Sequence, residues 1–194
     1  MKIINTEGRQ VYDLGNLVVE PTGRSFRSRL PNVATAITLV SGAAYFVYVG
    51  RSSQPMLVKY VEFYVNTAGS PSSIAQAGLF TTPSPPNKAT TQTVTKLIAT
   101  ADVDIVVTLG LKRSDTLNYV VPAGTYLWAG IRTALTTTQP AIAGVCMDFS
   151  EGLVLSTLNA GDLSTTPGPW TGSIPGLGAY LNSAFAPDLR ITLD

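Results

Sequence analysis

Residues 121–131 read VPAGTYLWAGI. Pro122, Ala123 and Gly124 make a turn, since proline presets one backbone angle and glycine supplies a positive φ. The chain then enters a run with apolar side chains on both faces. Thr125, Leu127, Ala129 and Ile131 form one face and Tyr126, Trp128, Gly130 and Arg132 the other. Neither face is plainly polar. This pattern predicts a strand in the middle of a sheet, with one side in the core and the other packed on a neighbour. Pro122 stands just before the strand, where no ladder donor is lost.

Working outward, the same texture recurs. AAYFVYVG (43–50), MLVKYVEFYVNT (56–67), SIAQAGLFT (73–81), TKLIAT (95–100), DIVVTLGL (104–111), LNYVV (117–121), TYLWAGIRT (125–133), IAGVCMDF (142–149), LVLSTL (153–158) and LRITL (189–193) are short and β-rich. Gly, Pro, Asn, Asp or Ser separates them. No window sustains a helical apolar stripe with caps. Eight to ten such strands predict an all-β chain, an antiparallel β-sandwich with a jelly-roll-like character. The alternation is clearest in 57–65, where Leu57, Val61, Phe63 and Val65 share one face with Lys59 and are assigned to the core. Lys59 then sits near a strand end, with its stem on apolar surface and its ammonium in water.

The chain has 194 residues, which suits one domain with an arm. It is 45% hydrophobic and 13% charged, with net charge +1, so the surface is neutral and hydroxyl-rich. That charge gives no reason to expect nucleic acid. Polar or Gly residues interrupt every apolar run, including VATAITLVSGAAYFVYVG at 33–50, so no membrane span is expected. The N-terminus MKIINTEGRQVYDLG has no apolar h-region, so no signal peptide is expected either. The absence of histidine excludes a Ser-His-Asp or Cys-His relay and every His-ligated metal. Cys146 is the one cysteine; AGVCMDF around it suggests a buried thiol behaving as a small hydrophobe.

Two regions depart from the strand texture. Residues 1–31 hold Lys2, Arg9, Arg24, Arg27 and Arg29, with little apolar periodicity beyond LVV at 17–19, and read as an extended N-terminal arm to a sandwich domain at 32–194. Residues 159–178, NAGDLSTTPGPWTGSIPGLG, read as a long Pro/Gly-rich loop carrying Trp170. TTPSPPNKATTQT at 81–93 reads as a shorter exposed loop.

YVEFYVNTAGSPSSIAQAGLF, then KLIATADVDI, then VPAGTYLWAGI resembles a β-sandwich module of tailed-bacteriophage virion proteins, found in tail fibres, baseplate parts and capsid-surface proteins. The matching positions are Thr67, Ala68 and Gly69; Ala75, Gly78, Leu79 and Phe80; and Ala123 to Ala129, within about residues 43–148. Leu127 precedes Trp128 here, the inverse of the module's usual order, which would swap the faces those two occupy. The resemblance implies a structural, cementing or host-binding piece of a virion, made in the host cytoplasm, with no catalytic residue and no cofactor.

Candidate sites divide between function and plain structure. Asp102, Asp104 and Asp115 offer oxygen ligands for calcium, but surface carboxylates beside a turn are the commoner reading, and no metal is expected. Asp148 and Glu151 lie three residues apart in one turn, a spacing that seldom flanks a sugar ring, so no enzyme is expected. Arg24, Arg27 and Arg29 surround Phe26 in RSFRSR and read either as a solvated linker or as charge-assisted contacts to carboxylates of neighbouring subunits. Trp170 and Tyr180 offer an aromatic platform for a partner or a glycan, unless Trp170 folds back over a sheet edge. The expectation is therefore a non-enzymatic structural protein of a tailed-phage virion, most readily a capsid-surface decoration or fibre-base component. It anchors through its arm and associates with its own copies, a trimer being the first choice, and with other virion proteins. The competing expectation is a tail-fibre or baseplate module that binds a host-surface polysaccharide.

Overall fold

The computed structural model describes residues 3–6, 9–13, 18–19, 25–26, 34–40, 44–71, 74–85, 92–100, 105–134, 137–146, 171–174 and 185–193. Every regular element among them is a strand, and the sheet pairings are antiparallel. A large sheet gathers β4 (Ser25–Phe26), β5 (Ala34–Thr38), β7 (Met56–Thr67), β10 (Gly110–Arg113), β11 (Tyr119–Val121), β13 (Ala141–Cys146), β15 (Phe185–Pro187) and β16 (Arg190–Leu193). A small sheet runs in the order β14 (Thr171–Ile174), β9 (Gln92–Ala99), β8 (Ile74–Thr82), β12 (Tyr126–Ala134), β6 (Ala44–Arg51). Together they form a β-sandwich. A third sheet joins β1 (Ile3–Thr6), β2 (Arg9–Asp13) and β3 (Val18–Val19).

β12 takes the central place its residues predict, hydrogen-bonded to β8 on one side and β6 on the other. Leu127, Ala129 and Ile131 enter the core between the sheets. They meet Val61, Phe63 and Val65 of β7 there, together with Leu79, Val47, Val49 and Ile191. Trp128 goes to the opposite face, into a second buried cluster with Ala44, Phe46, Phe80 and Val94. One alternating strand thus feeds two apolar layers.

At the start of β7 the structure corrects the assigned face. Val58 is buried, while Leu57 and Lys59 are only partly so. The register against β16 shifts between Thr192 and Leu193, which pair with Tyr60 and Val58. Such a shift is a bulge, and a bulge changes which residues face inward. Lys59 therefore lies inside the strand at the irregularity, not at an end, and its carbonyl accepts the Leu117 amide at 2.7 Å.

Three further boundaries differ from the sequence reading. The β-branched run at 105–108 is a turn; Val106 is fully buried and its carbonyl accepts the Gly69 amide at 2.9 Å, so core filling and a loop-to-loop bond hold it out of a ladder. The strand there, β10, starts only at Gly110, whose φ of 102° needs glycine. Ala34–Thr38 is a strand paired with β13. Within the supposed loop at 159–178, Thr171–Ile174 pairs with Thr95–Gln92 of β9. Within residues 1–31, the described residues lie in the third sheet and in β4, which pairs with β16. Residues 153–158, read as a strand, lie outside the described residues.

Side-chain hydrogen bonds close the sandwich ends. The buried Tyr45 hydroxyl accepts the Val40 amide at 3.0 Å and donates to the Thr38 carbonyl at 3.3 Å. Burial raises its pKa, with the Val40 bond opposing. At the other end Ser52 is almost fully buried, and its hydroxyl accepts the Thr125 amide at 3.0 Å and donates to the Pro122 carbonyl at 2.5 Å. The Pro-Ala-Gly turn is thereby fastened to the chain leaving β6. Gly124 has φ 83°, as a turn at that position demands.

Candidate functional site

Arg24, Arg27, Arg29, Trp170, Tyr180, Asp102, Asp104, Asp148 and Glu151 lie outside the described residues. Phe26 is placed by its backbone, opposite Ile191 in the β4–β16 pairing. Cys146 ends β13 opposite Phe185. Asp115 is exposed. Among the described residues no three His, Cys, Asp or Glu side chains gather where a metal could sit, and no helix is long and apolar enough to cross a membrane.

The outer side of the large sheet carries a surface that the sequence reading did not single out. Tyr64 (48% exposed) stands in register with Leu111 (53%), so two large apolar side chains lie side by side in solvent. Leu109 (62%) precedes β10, and Val120 (57%) pairs with Leu57 farther down the same edge. Isolated exposed apolar residues are ordinary; Tyr64, Leu109 and Leu111 stand near one another as a candidate contact surface, whereas Val120 stands apart, its partner Leu57 lying seven positions along β7 from Tyr64.

Charges frame this group. Glu62 lies between Arg113 and Arg190 in the strand registers. Its buried carboxylate accepts a bond from Arg113 Nε at 2.7 Å, while Arg113 also lies 5.6 Å from the Tyr60 ring centre. Arg190 bonds Asp188 at 2.8 Å. Arg113 is itself largely exposed, so the pair adds little stability. Its effect is to neutralise the border of the patch. A buried acid with an arginine across the ladder could have been sought in the sequence, but only the register tells which arginine reaches it.

The small sheet's outer side is different in kind. Phe46 and Phe80 meet edge to face at 4.9 Å, Tyr48 and Trp128 at 5.0 Å, and the Trp128 indole donates to Thr82 Oγ1 at 2.9 Å. Arg132, 5% exposed, donates from Nε to Gln76 Oε1 at 2.6 Å. These aromatic rings are packed, not presented. Tyr48 is the partly exposed member, and burial pushes its pKa up to about 12, with Tyr126 adding to the rise and Arg51 opposing it.

That shift has a sign. The folded protein holds Tyr48 neutral above the ordinary 10.0, so its contribution to stability is complete below that pH and lost as pH climbs through the raised value. Alkaline unfolding is therefore expected to steepen between about pH 10 and 12. Tyr48→Phe is expected to flatten that dependence, as followed by circular dichroism across the pH series. A Tyr48→Phe curve superimposable on the wild type would contradict the assignment.

No family model, curated protein or solved structure matches the chain. The functional reading thus rests on the residues themselves.

Proposed function

We propose that the chain is a non-enzymatic building block of a tailed-phage virion, a sandwich that associates with its own copies and is anchored by its N-terminal residues. The observation that carries this reading is the outer group of Tyr64, Leu109 and Leu111, placed on a sheet where the neighbouring Arg113 and Arg190 are paired with carboxylates. These side chains are about half exposed, so each forgoes on the order of 1 kcal/mol relative to full burial, which a protein–protein contact recovers.

The sequence resemblance adds to this. Its two longest motifs lie on paired strands, with Phe80 opposite Trp128 and Gly78 opposite Gly130. They form the middle of the small sheet, so the resemblance concerns the framework, and the partner surfaces are a separate matter. β4 pairs with the C-terminal strand β16, giving the N-terminal region a point of attachment to the sandwich.

The test is incorporation. Particles assembled with a chain lacking residues 1–31 are expected to carry far fewer copies than those assembled with the intact chain, as measured by quantitative mass spectrometry of purified particles. Undiminished incorporation would remove the anchoring role.

A further inference from the structure

We infer that a second copy of this chain adds to the free edge of β10, antiparallel and with Leu111 opposite Leu111; this rests on the self-association proposed above and names its surface. The Ser114 amide donates to the Val61 carbonyl at 2.9 Å, so Ser114 faces β7. Alternation along an antiparallel ladder then turns the backbone groups of Lys112 and Gly110 toward β7 and those of Leu111 and Arg113 away from it. Among the described residues no strand pairs with β10 on that far side. Among the described residues the result is a short open edge flanked by exposed leucines, the arrangement that recruits another strand.

A two-fold partner must set edge-facing residues against edge-facing residues. Four centres satisfy this along β10. Centring on Lys112 or on Arg113 sets a cation against its own copy. Centring on Gly110 places its positive φ (102°) at the heart of the ladder and sets Arg113 against the turn at Val107. Centring on Leu111 sets no cation against its copy and moves Gly110 off the two-fold axis. Leu111 then faces its copy, Lys112 crosses Gly110, and Leu109 lies along the aliphatic stem of the partner's Arg113.

The same register matches charge and shape. Arg113 reaches the seam with its charge already met by Glu62 at 2.7 Å, so two like charges are not buried unpaired. Tyr64, which pairs with Leu111, extends the apolar row to four strands: Tyr64, Leu111, Leu111, Tyr64. Past Arg113 the ladder is interrupted: Ser114 and Leu117 still bond Val61 and Lys59, while Asp115 and Thr116 are exposed between them. That interruption confines the added strand to β10.

Sedimentation equilibrium of the full chain tests this beside Leu111→Asp, and oxidative cross-linking of Leu111→Cys tests the register. Cys146→Ser is included in the latter so that the single native thiol is absent. Two opposed residues in a bonded pair stand about 5.5 Å apart between Cα atoms, within disulfide reach. The wild type is expected to dimerise, Leu111→Asp to weaken dimerisation by about tenfold or more with an unchanged melting temperature, and Leu111→Cys to yield a covalent dimer. Self-association unaffected by Leu111→Asp, or no cross-link through position 111, would overturn this edge while leaving the proposed function in place. A wild type that stays monomeric and is nonetheless incorporated into particles would also overturn the edge. One that is monomeric and excluded from particles would take both down.

Discussion

Trp128→Ala is expected to lower the unfolding free energy by about 3–5 kcal/mol. The indole is fully buried, lies 5.0 Å from the Tyr48 ring and donates to Thr82 Oγ1 at 2.9 Å. Truncation removes a large apolar volume from a layer bounded by Phe46 and Phe80, whose edge-to-face contact leaves little room to collapse into the gap. It also takes away the indole donor, although Thr82 Oγ1 keeps its own bond to the Ser84 carbonyl at 2.7 Å. Trp128→Phe separates the two contributions, since it preserves most of the volume and forfeits the hydrogen bond, worth about 1 kcal/mol. Urea unfolding followed by circular dichroism measures both. A loss under about 1 kcal/mol for Trp128→Ala would mean that the outer layer of the small sheet contributes little to stability.

Gly78→Ala is also expected to be strongly destabilising, by about 3 kcal/mol, although it adds a single carbon. A Cβ at Gly78 would stand 2.5 Å from the Ile98 carbonyl oxygen and 2.8 Å from Ala99 Cα. Both are backbone atoms, so no rotamer change relieves the clash. β8 and β9 must move apart where Gly78 pairs with Ala99, next to the bonds between Ala77 and Thr100. Overpacking against a fixed ladder costs about 1–3 kcal/mol in ordinary cores and more where the backbone itself is struck. Gly130→Ala provides the contrast, because its Cβ would meet side-chain atoms, the Phe80 ring at 2.6 Å and the Phe46 ring at 3.0 Å. Rings can shift, so Gly130→Ala is expected to be the milder of the two. The reverse order in urea midpoints would contradict this account of why glycine occupies position 78.

These two positions also indicate what could be read from the chain in advance. The alternation of large and small apolar residues in 125–131 was enough to place β12 at the centre of a sheet, because only a strand buried on both faces tolerates Leu127 and Trp128 as neighbours. β7 was legible for the same reason from Val61 to Val65. It failed at Val58 because a bulge leaves no mark in a run of β-branched and aromatic residues. Residues 105–108 misled because β-branched side chains serve a core-plugging turn as well as a strand, and Val106 does the former. β14, with sequence TGSI among prolines and glycines, has its identity decided by the edge of β9 it joins.

The exposed apolar group was harder to see than the fold. Tyr64 was legible as lying opposite the core face, but Leu111 became its neighbour only through pairing between residues 47 positions apart. Charge was misleading in the same way. Arg113 looks like a free surface cation until the register sets it against Glu62. Local pattern decides which side of a strand is wet. Long-range pairing decides which wet residues stand together.

The proposed virion role is tested most directly by quantitative mass spectrometry of gradient-purified phage particles produced by cells that express this chain. The account predicts the chain at a fixed, multiple copy number per particle, retained through a high-salt wash. Its absence from the particles, with the chain recovered free in the lysate, would contradict a structural role.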